Sequence, residues 1–289
     1  MTDPSQPVLA SGTFSLGGDL EVRRLGYGAM QITGPGVWGE PADRDAAIAT
    51  LRRAVELGVD FMDTADSYGP FVSEDLIREA LHPYGHVRIA TKAGFTRQGP
   101  GQWRVVGDPS YLRQCAEMSL RRLGVETIDL YQLHRIDTRI PLEDQLGLFA
   151  ALVEEGKVRH VGLSEVTLED LTAAQRIVPI ATVQNLYNVA NRQSEALLEH
   201  CTERGIGFIP WFPIATGQLT APDGPLTAVA ERTGHTAAQL ALAWLLRRSP
   251  VMLPIPGTKS VRHVEENCAA ALVELDEATY AELDALAAP

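Results

Sequence analysis

Nothing in this 289-residue sequence approaches the roughly eighteen consecutive apolar residues that a membrane-spanning helix needs. The opening MTDPSQPVLASG is polar and has no apolar core of the kind found in a signal peptide, so a soluble cytoplasmic protein is expected. Cysteine is scarce. Cys115, Cys201 and Cys268 are an odd number, fall in helical patterns and lack metal-ligand spacing, which argues against a disulfide framework or a metal centre. They read as buried thiols of a reducing compartment. An excess of basic charge is also missing: the net charge of −12 opposes general binding to nucleic acid or to an anionic membrane surface. Absent too is a GxGxxG fingerprint after the first strand, because the GYG of Gly26 to Gly28 does not open a helix.

What is present is a regular alternation of strand and helix patterns in a chain with 45% apolar residues, enough for one large core. Residues 1–12 read as a flexible tail. TFSLGGDLEV, Thr13 to Val22, reads as a hairpin turning at Gly17-Gly18, which could close the bottom of a barrel. Leu25 to Met30 is a short apolar strand, followed by a Gly- and Pro-rich loop. Strands are then expected at Val59–Asp63, Val87–Lys92, Ile128–His134, Val158–Ser164, Ala181–Gln184, Ile206–Pro210 and Val251–Ile255. Helices fall between them at Asp43–Leu57, Ser73–Leu81, Pro109–Leu123, Leu142–Glu155, Leu168–Ile177 and Ser194–Arg204. Further helices are expected within Gly224–Arg247, broken near Gly234, and at Val261–Ala269 and Asp276–Ala288. The stretch AGFTRQGPGQWRVVGD reads as a loop. Apolar strands without strict alternation fit a parallel sheet covered on both faces. Eight such units imply a (β/α)₈ TIM barrel, an α/β fold that typically takes about 250 residues, as a single domain over 1–289.

Barrel sites form at the C-terminal ends of the strands, and that rule draws attention to DFMDTADSY, Asp60 to Tyr68. Asp63 ends one strand, Tyr68 sits in the loop after it, Lys92 ends the next strand and His134 ends the one after. If these strands are parallel neighbours, a carboxylate, a phenol, an ammonium and an imidazole converge. A nearby cation would lower the phenol's pKa from near 10, Asp63 would hold the ammonium, and His134 would donate to a substrate oxygen or share the proton with the tyrosine. Such a group suits protonation of an oxygen that gains negative charge, as in hydride reduction of a carbonyl. Singly, each residue has a plainer reading: a helix cap or turn former for Asp63, a solvated loop residue for Lys92, a rim cap for Tyr68.

GVDFMDTADSYG followed by SEDLIREAL, then ATK, YQLHR, VRHVGLSE, VQNLYN, FIPWFPI and IPGTKSVRHVEEN occur in an order and spacing that resembles the aldo-keto reductase family along nearly the whole chain. The resemblance implies a catalytic tetrad at Asp63, Tyr68, Lys92 and His134. It also implies NADPH (NADP+) bound across the barrel mouth, with Ser164 and Gln184 on the nicotinamide carboxamide and Trp211 stacked on the ring. The pyrophosphate would lie under the loop Phe212 to Leu219. The adenosine 2′-phosphate would meet Gly257, Thr258, Lys259, Ser260 and His263, with Asn267 at the adenine. Independently of the resemblance, a helix start carrying threonine, serine and lysine is an ordinary anion site. Three departures stand out: Glu165 where the family usually has asparagine, His263 where many relatives have arginine, and Trp211 in place of tyrosine. Within the family, the opening GTFSLGGDLEVRRLGYGAMQITGPGVWGEP and the tail IPGTKSV are similar to bacterial reductases of the pyridoxal reductase type.

The expected activity is NADPH-dependent reduction of an aldehyde or ketone, without a metal, by a monomer or homo-oligomer. Met30, Trp38, Phe95, Trp103, Arg135 and Trp211 would form a mostly aromatic or apolar wall suited to an aromatic or otherwise flat aldehyde or ketone. Arg135 would meet a substrate phosphate, carboxylate or hydroxyl, or else pair with Asp137 or Glu165. Two other classes compete. One is a non-catalytic NADPH-binding barrel acting as a regulatory or interaction subunit, as the channel-associated β subunits similar to this family do. The other is an isomerase or lyase using Lys92 as a Schiff base, which would require a depressed lysine pKa.

Overall fold

The computed structural model describes residues 5–214, 224 and 226–286. Seven parallel strands form one curled sheet: β3 (Tyr27–Gly28), β4 (Phe61–Asp63), β5 (Arg88–Ala93), β8 (Ile128–Leu133), β9 (Val158–Ser164), β10 (Ile180–Leu186) and β11 (Gly207–Trp211) lie side by side in that order. The expected eighth strand, Val251–Ile255, closes the ring without a full ladder. On one side, Phe208 N donates to Val251 O and Leu253 N to Phe208 O, both at 2.8 Å; on the other, Gly26 N reaches Pro254 O at 3.0 Å. Pro254 and Pro256 have no N–H to give, so regular pairing cannot form there. With helices on its outside, the ring is a (β/α)₈ barrel.

The hairpin is formed by β1 (Thr13–Leu16) and β2 (Leu20–Arg23), paired antiparallel with Leu16 opposite Leu20. Leu16, Leu20 and Val22 pack against Phe61, Ala90, Leu130 and Ile209 from the barrel strands, in a core cluster separate from the one under the helices. Fully burying each such leucine or valine is worth about 1.5–3 kcal/mol, and the plug also keeps water out of the barrel from below.

Residues 7–12 are not the expected tail. Pro7–Ser11 is a 3₁₀ helix with Val8 fully buried and its N–H bonded to Leu57 O at 3.3 Å. An apolar Pro-Val-Leu in a polar segment carried that signal. Residues 1–4 of the expected tail lie outside the described residues.

The helices start where capping residues provide for it. Asp108 accepts from Ser110 N and Tyr111 N at the head of α3 (Pro109–Leu123), and Gly124 ends that helix in the left-handed conformation. The break near Gly234 separates α7 (Thr227–Thr233) from α8 (Ala237–Arg248), which begins with a reciprocal Thr236–Gln239 capping box. The helix α10 (Glu277–Asp284) follows Asp276 as expected, while residues 287 and 288 lie outside the described residues.

Two segments differ from expectation. Leu25–Met30 is extended only at Tyr27–Gly28 and then turns into a 3₁₀ helix, Ala29–Ile32. The long loop after Lys92 is itself a hairpin, β6 (Phe95–Gly99) against β7 (Gln102–Val105), turning at Pro100-Gly101. It stands at the barrel mouth.

Candidate active site

Because β4, β5 and β8 are adjacent and parallel, Asp63, Lys92 and the His134 that follows β8 emerge at one edge. Lys92 is fully buried. Its ammonium donates to Asp63 Oδ2 at 2.6 Å, to Thr64 O at 2.8 Å and to Tyr68 Oη at 3.3 Å. All three donors of the ammonium are thereby used, two on the strand-end loop and one on the phenol. Asp63 is fixed in turn: its Oδ1 accepts from Gln132 Nε2 at 3.0 Å and from Gln184 Nε2 at 2.9 Å. The Tyr68 and His134 rings meet edge-on with centroids 5.8 Å apart.

Burial is the largest influence on each proton. It pulls the Lys92 ammonium down, yet the Asp63 carboxylate and the phenol outweigh it, so the group titrates above an ordinary lysine. Burial raises the Tyr68 phenol, with Lys92 opposing; the net shift is upward, not the lowering that the sequence suggested from the nearby cation alone. His134 is pushed well below an ordinary histidine by burial and by the cations of Lys92, Arg135 and Arg97, so its ring is neutral at pH 7. Its Nδ1 is 3.4 Å from Ser67 Oγ, and its Nε2 has no partner among the described residues.

These groups open into a cavity of about 480 Å³. Tyr68, His134, Phe95 and Trp103 line one side, Trp211, Phe212 and Ile214 another, with Met30 and Arg135 also in the wall. Trp38, expected here, is not among the lining residues; its neighbour Val37 is. Arg97 fixes the β6–β7 hairpin against the site. Its guanidinium donates to the carbonyls of Val37 at 2.7 Å and Ser67 at 2.6 Å and lies 3.6 Å from the Trp103 ring centre.

Residues 24–288 match the model of the Aldo/keto reductase family. This chain belongs to the aldo/keto reductase family. It is 53% identical over 274 residues to an uncharacterized oxidoreductase of Schizosaccharomyces pombe, covering 95% of this chain and 89% of that protein. It is 42% identical over 285 residues to pyridoxine 4-dehydrogenase of Escherichia coli, covering 96% and 99% respectively. In three dimensions it is similar to an aldo-keto reductase from Klebsiella pneumoniae in complex with NADPH, with a TM-score of 0.81 at 30% identity over 95% of this chain and 94% of that one.

In this aldo/keto reductase the residues that the resemblance assigned to a cofactor lie in two places. Ser164, Gln184 and Trp211 line the cavity beside Asp63, Tyr68 and His134, as does Gly257. Thr258, Lys259, Ser260 and His263 surround the start of α9 (Val261–Ala269), with Asn267 buried further along the helix. Ser260 is the N-cap but its side chain makes no capping bond, and the N–H groups of residues 261–263 have no acceptor among the described residues. His263 is exposed and bonded through Nε2 to its neighbour Arg262 at 2.9 Å. The loop expected to cover a pyrophosphate is described only through Ile214; residues 215–219 lie outside the described residues.

The departures at Glu165 and Trp211 are coupled. The Trp211 indole N–H donates to Glu165 Oε1, which also accepts from Leu186 N at 2.8 Å. Glu165 itself is in the left-handed region at φ 55°, a conformation that costs a non-glycine residue about 1 kcal/mol or more. Arg135 pairs with neither expected carboxylate: Asp137 is held by Arg139 at 2.7 Å, and Glu165 is engaged by the indole.

Sequence reasoning missed Gln132, Ser67, Arg97 and the β6–β7 hairpin. Gln132 lay within reach, since in a strand it shares a face with His134 two residues on. Arg97 bonds backbone atoms far away in sequence, for which local pattern offers no cue.

Proposed function

We propose that this chain, acting as one barrel domain, reduces an aldehyde or ketone to an alcohol with NADPH, reversibly, and that an aromatic aldehyde such as pyridoxal is its substrate. The observation that carries the reading is the Lys92 ammonium 2.6 Å from Asp63 and 3.3 Å from a Tyr68 phenol at the floor of an aromatic-walled cavity. Bound NADPH supplies the hydride. Tyr68 gives its proton to the substrate oxygen as that oxygen gains negative charge. A phenol held above its ordinary pKa stays protonated at pH 7, ready to donate. Lys92 stabilises the phenolate left behind, Asp63 keeps Lys92 charged and fixed, and the neutral His134 donates from Nε2 to the same oxygen. A Schiff-base role for Lys92 fits poorly, because its pKa is raised.

The residues present fit the cofactor. The indole of Trp211 offers a flat face beside polar Ser164 and Gln184. Open backbone donors at α9, with Lys259 and the uncommitted Ser260 hydroxyl, suit a 2′-phosphate. The NADPH complex of the Klebsiella pneumoniae relative supports the same cofactor, and the 42% identity to a pyridoxine 4-dehydrogenase supports the substrate. Three buried thiols, two of them pushed up to about 12 by burial, support a reducing cytoplasmic setting and a purely structural role for the cysteines.

A panel of aldehydes including pyridoxal, with NADPH or NADH and absorbance of the reduced nicotinamide followed, tests the reading. Tyr68→Phe is expected to lose ~10²–10⁴-fold in kcat while binding NADPH as before. Turnover within about threefold of the parent, less than roughly 1 kcal/mol of barrier, would assign the proton to another residue.

A further inference from the structure

Among the described residues, Arg135 is the one charged side chain in the cavity wall besides Asp63. It follows β8 and is half-buried. Every anchor it has is neutral: Nη1 donates to His134 O at 2.7 Å and to Ser164 Oγ at 3.0 Å. Its Nε and Nη2 donate to nothing among the described residues. No described carboxylate lies within the 4.0 Å of an ion pair, although the chain carries a net charge of −12 and has acids at residues 137 and 165. Both of those acids are engaged elsewhere, Asp137 by Arg139 and Glu165 by Trp211 and Leu186.

A half-buried guanidinium with open donors and no carboxylate within ion-pair distance is costly to keep; burial lowers its pKa, and the more distant Glu165 charge offsets only part of that. The cost is recovered when an anion arrives. Arginine presents its donors as a planar fork, which matches a carboxylate or phosphate with two bonds at once.

The anion is not the cofactor's 2′-phosphate. Around the barrel the order is β3, β4, β5, β8, β9, β10, β11 and then the 251–255 segment, so β8 and that segment face each other across the mouth. The phosphate-type donors at the start of α9 follow the 251–255 segment, on the far side from Arg135. Arg135 stands instead next to His134, where the reacting carbonyl would sit, with its charge about 5.7 Å from the Phe95 ring centre.

We infer that Arg135 is a specificity-determining residue and that the preferred substrates are carbonyl compounds carrying an anionic oxygen: a carboxylate, a phosphate or an ionised phenol. The aromatic wall takes the body of the molecule, Tyr68 and His134 take the carbonyl oxygen, and Arg135 takes the anion. This rests on the carbonyl-reductase reading and narrows it to a substrate class.

The test uses the full chain with the 3- and 4-carboxybenzaldehydes against their methyl esters, pairs that differ in the charge and one methyl group. For each pair two ratios are measured, in kcat/KM with NADPH and in the dissociation constant of the corresponding alcohol from the NADPH complex, read by indole fluorescence. The parent is expected to favour the acid over the ester by tenfold or more for at least one isomer. Arg135→Gln should bring the ratio to within twofold of one, and Arg135→Lys should keep part of it; taking ratios cancels any general loss from disturbing Ser164. Equal handling of acid and ester by the parent, or a preference that survives in Arg135→Gln, would overturn the inference and leave the reductase reading intact. A tenfold preference in binding with no turnover of any aldehyde would uphold the anion subsite and sink the reductase reading.

Discussion

The Lys92 ammonium and the Asp63 carboxylate meet at 2.6 Å with both side chains sealed from solvent. Burial disfavours a lone charge at either position, and the pairing offsets that cost. Gln132 and Gln184 complete the arrangement by donating to the carboxylate oxygen that Lys92 leaves free. The pair therefore belongs to the stability of the barrel as much as to its chemistry.

Asp63→Asn leaves a buried ammonium without its counter-charge. A loss of about 3–5 kcal/mol in unfolding free energy is expected, read as a lower urea midpoint. The double variant Asp63→Asn with Lys92→Met should recover most of that stability while remaining inactive. Recovery of neither would show that the pair is not the source of the loss.

Lys259→Ala removes one of the two cations, with Arg262, beside the open N–H groups of α9. The dissociation constant of NADPH is expected to rise about tenfold, roughly 1.4 kcal/mol, while that of NADH, which lacks the 2′-phosphate, stays within twofold. Fluorescence titration with both nucleotides measures it, and equal weakening of the two would move the phosphate elsewhere.

Glu165→Ala frees the Trp211 indole from its only hydrogen bond among the described residues. About 1 kcal/mol of orientation is lost, so NADPH should bind about fivefold more weakly and the indole emission should change in the free protein. Glu165→Gln keeps an acceptor for the indole N–H and should restore most of the affinity.

Asp66, two residues before Tyr68, is buried with Oδ1 unpartnered, and burial, then the neighbouring Glu74, push its pKa up to about 7. The unfolded chain ionises it near the ordinary aspartate value of 3.8, so between those values the folded state holds a proton that the unfolded state has released. Its contribution to stability is therefore full below about pH 4, declines as pH rises, and is gone above about pH 7. Arg122, paired with Glu74 at 2.6 Å, Cys115, which bonds Asp66, and the buried phenols of Tyr111 and Tyr131 are other ionisable groups that face the pair. Melting temperature followed from pH 5 to pH 8 should fall less steeply in Asp66→Asn than in the parent, and identical slopes would exclude Asp66 as the source.

The order of elements could be read directly from the chain because periodicity and capping are local. Asp108 before Pro109, Gly124 after Leu123 and Thr236 with Gln239 mark helix ends without reference to anything distant. The sites at strand ends were legible for a related reason. In a parallel barrel every strand finishes at the same rim, so Asp63, Lys92 and His134 were bound to share an edge once their strands were known to be neighbours. The 3₁₀ turn at Pro7–Ser11 and the β6–β7 hairpin were harder, being short and held by contacts to Leu57, Val37 and Ser67 that lie far off in sequence.

By itself the sequence determined the fold, the gathering of Asp63, Tyr68, Lys92 and His134 at one rim and the donor-rich start of α9, since each rests on residue type and spacing. Tertiary structure decided the protonation states and the pairings. Whether Tyr68 is raised or lowered depends on how far burial outweighs Lys92. Whether Arg135 is neutralised depends on whether Arg139 and Trp211 have already taken the nearby acids. Desolvation and competition for partners are sums over all the atoms within a few ångströms, and those atoms become neighbours only when the barrel closes.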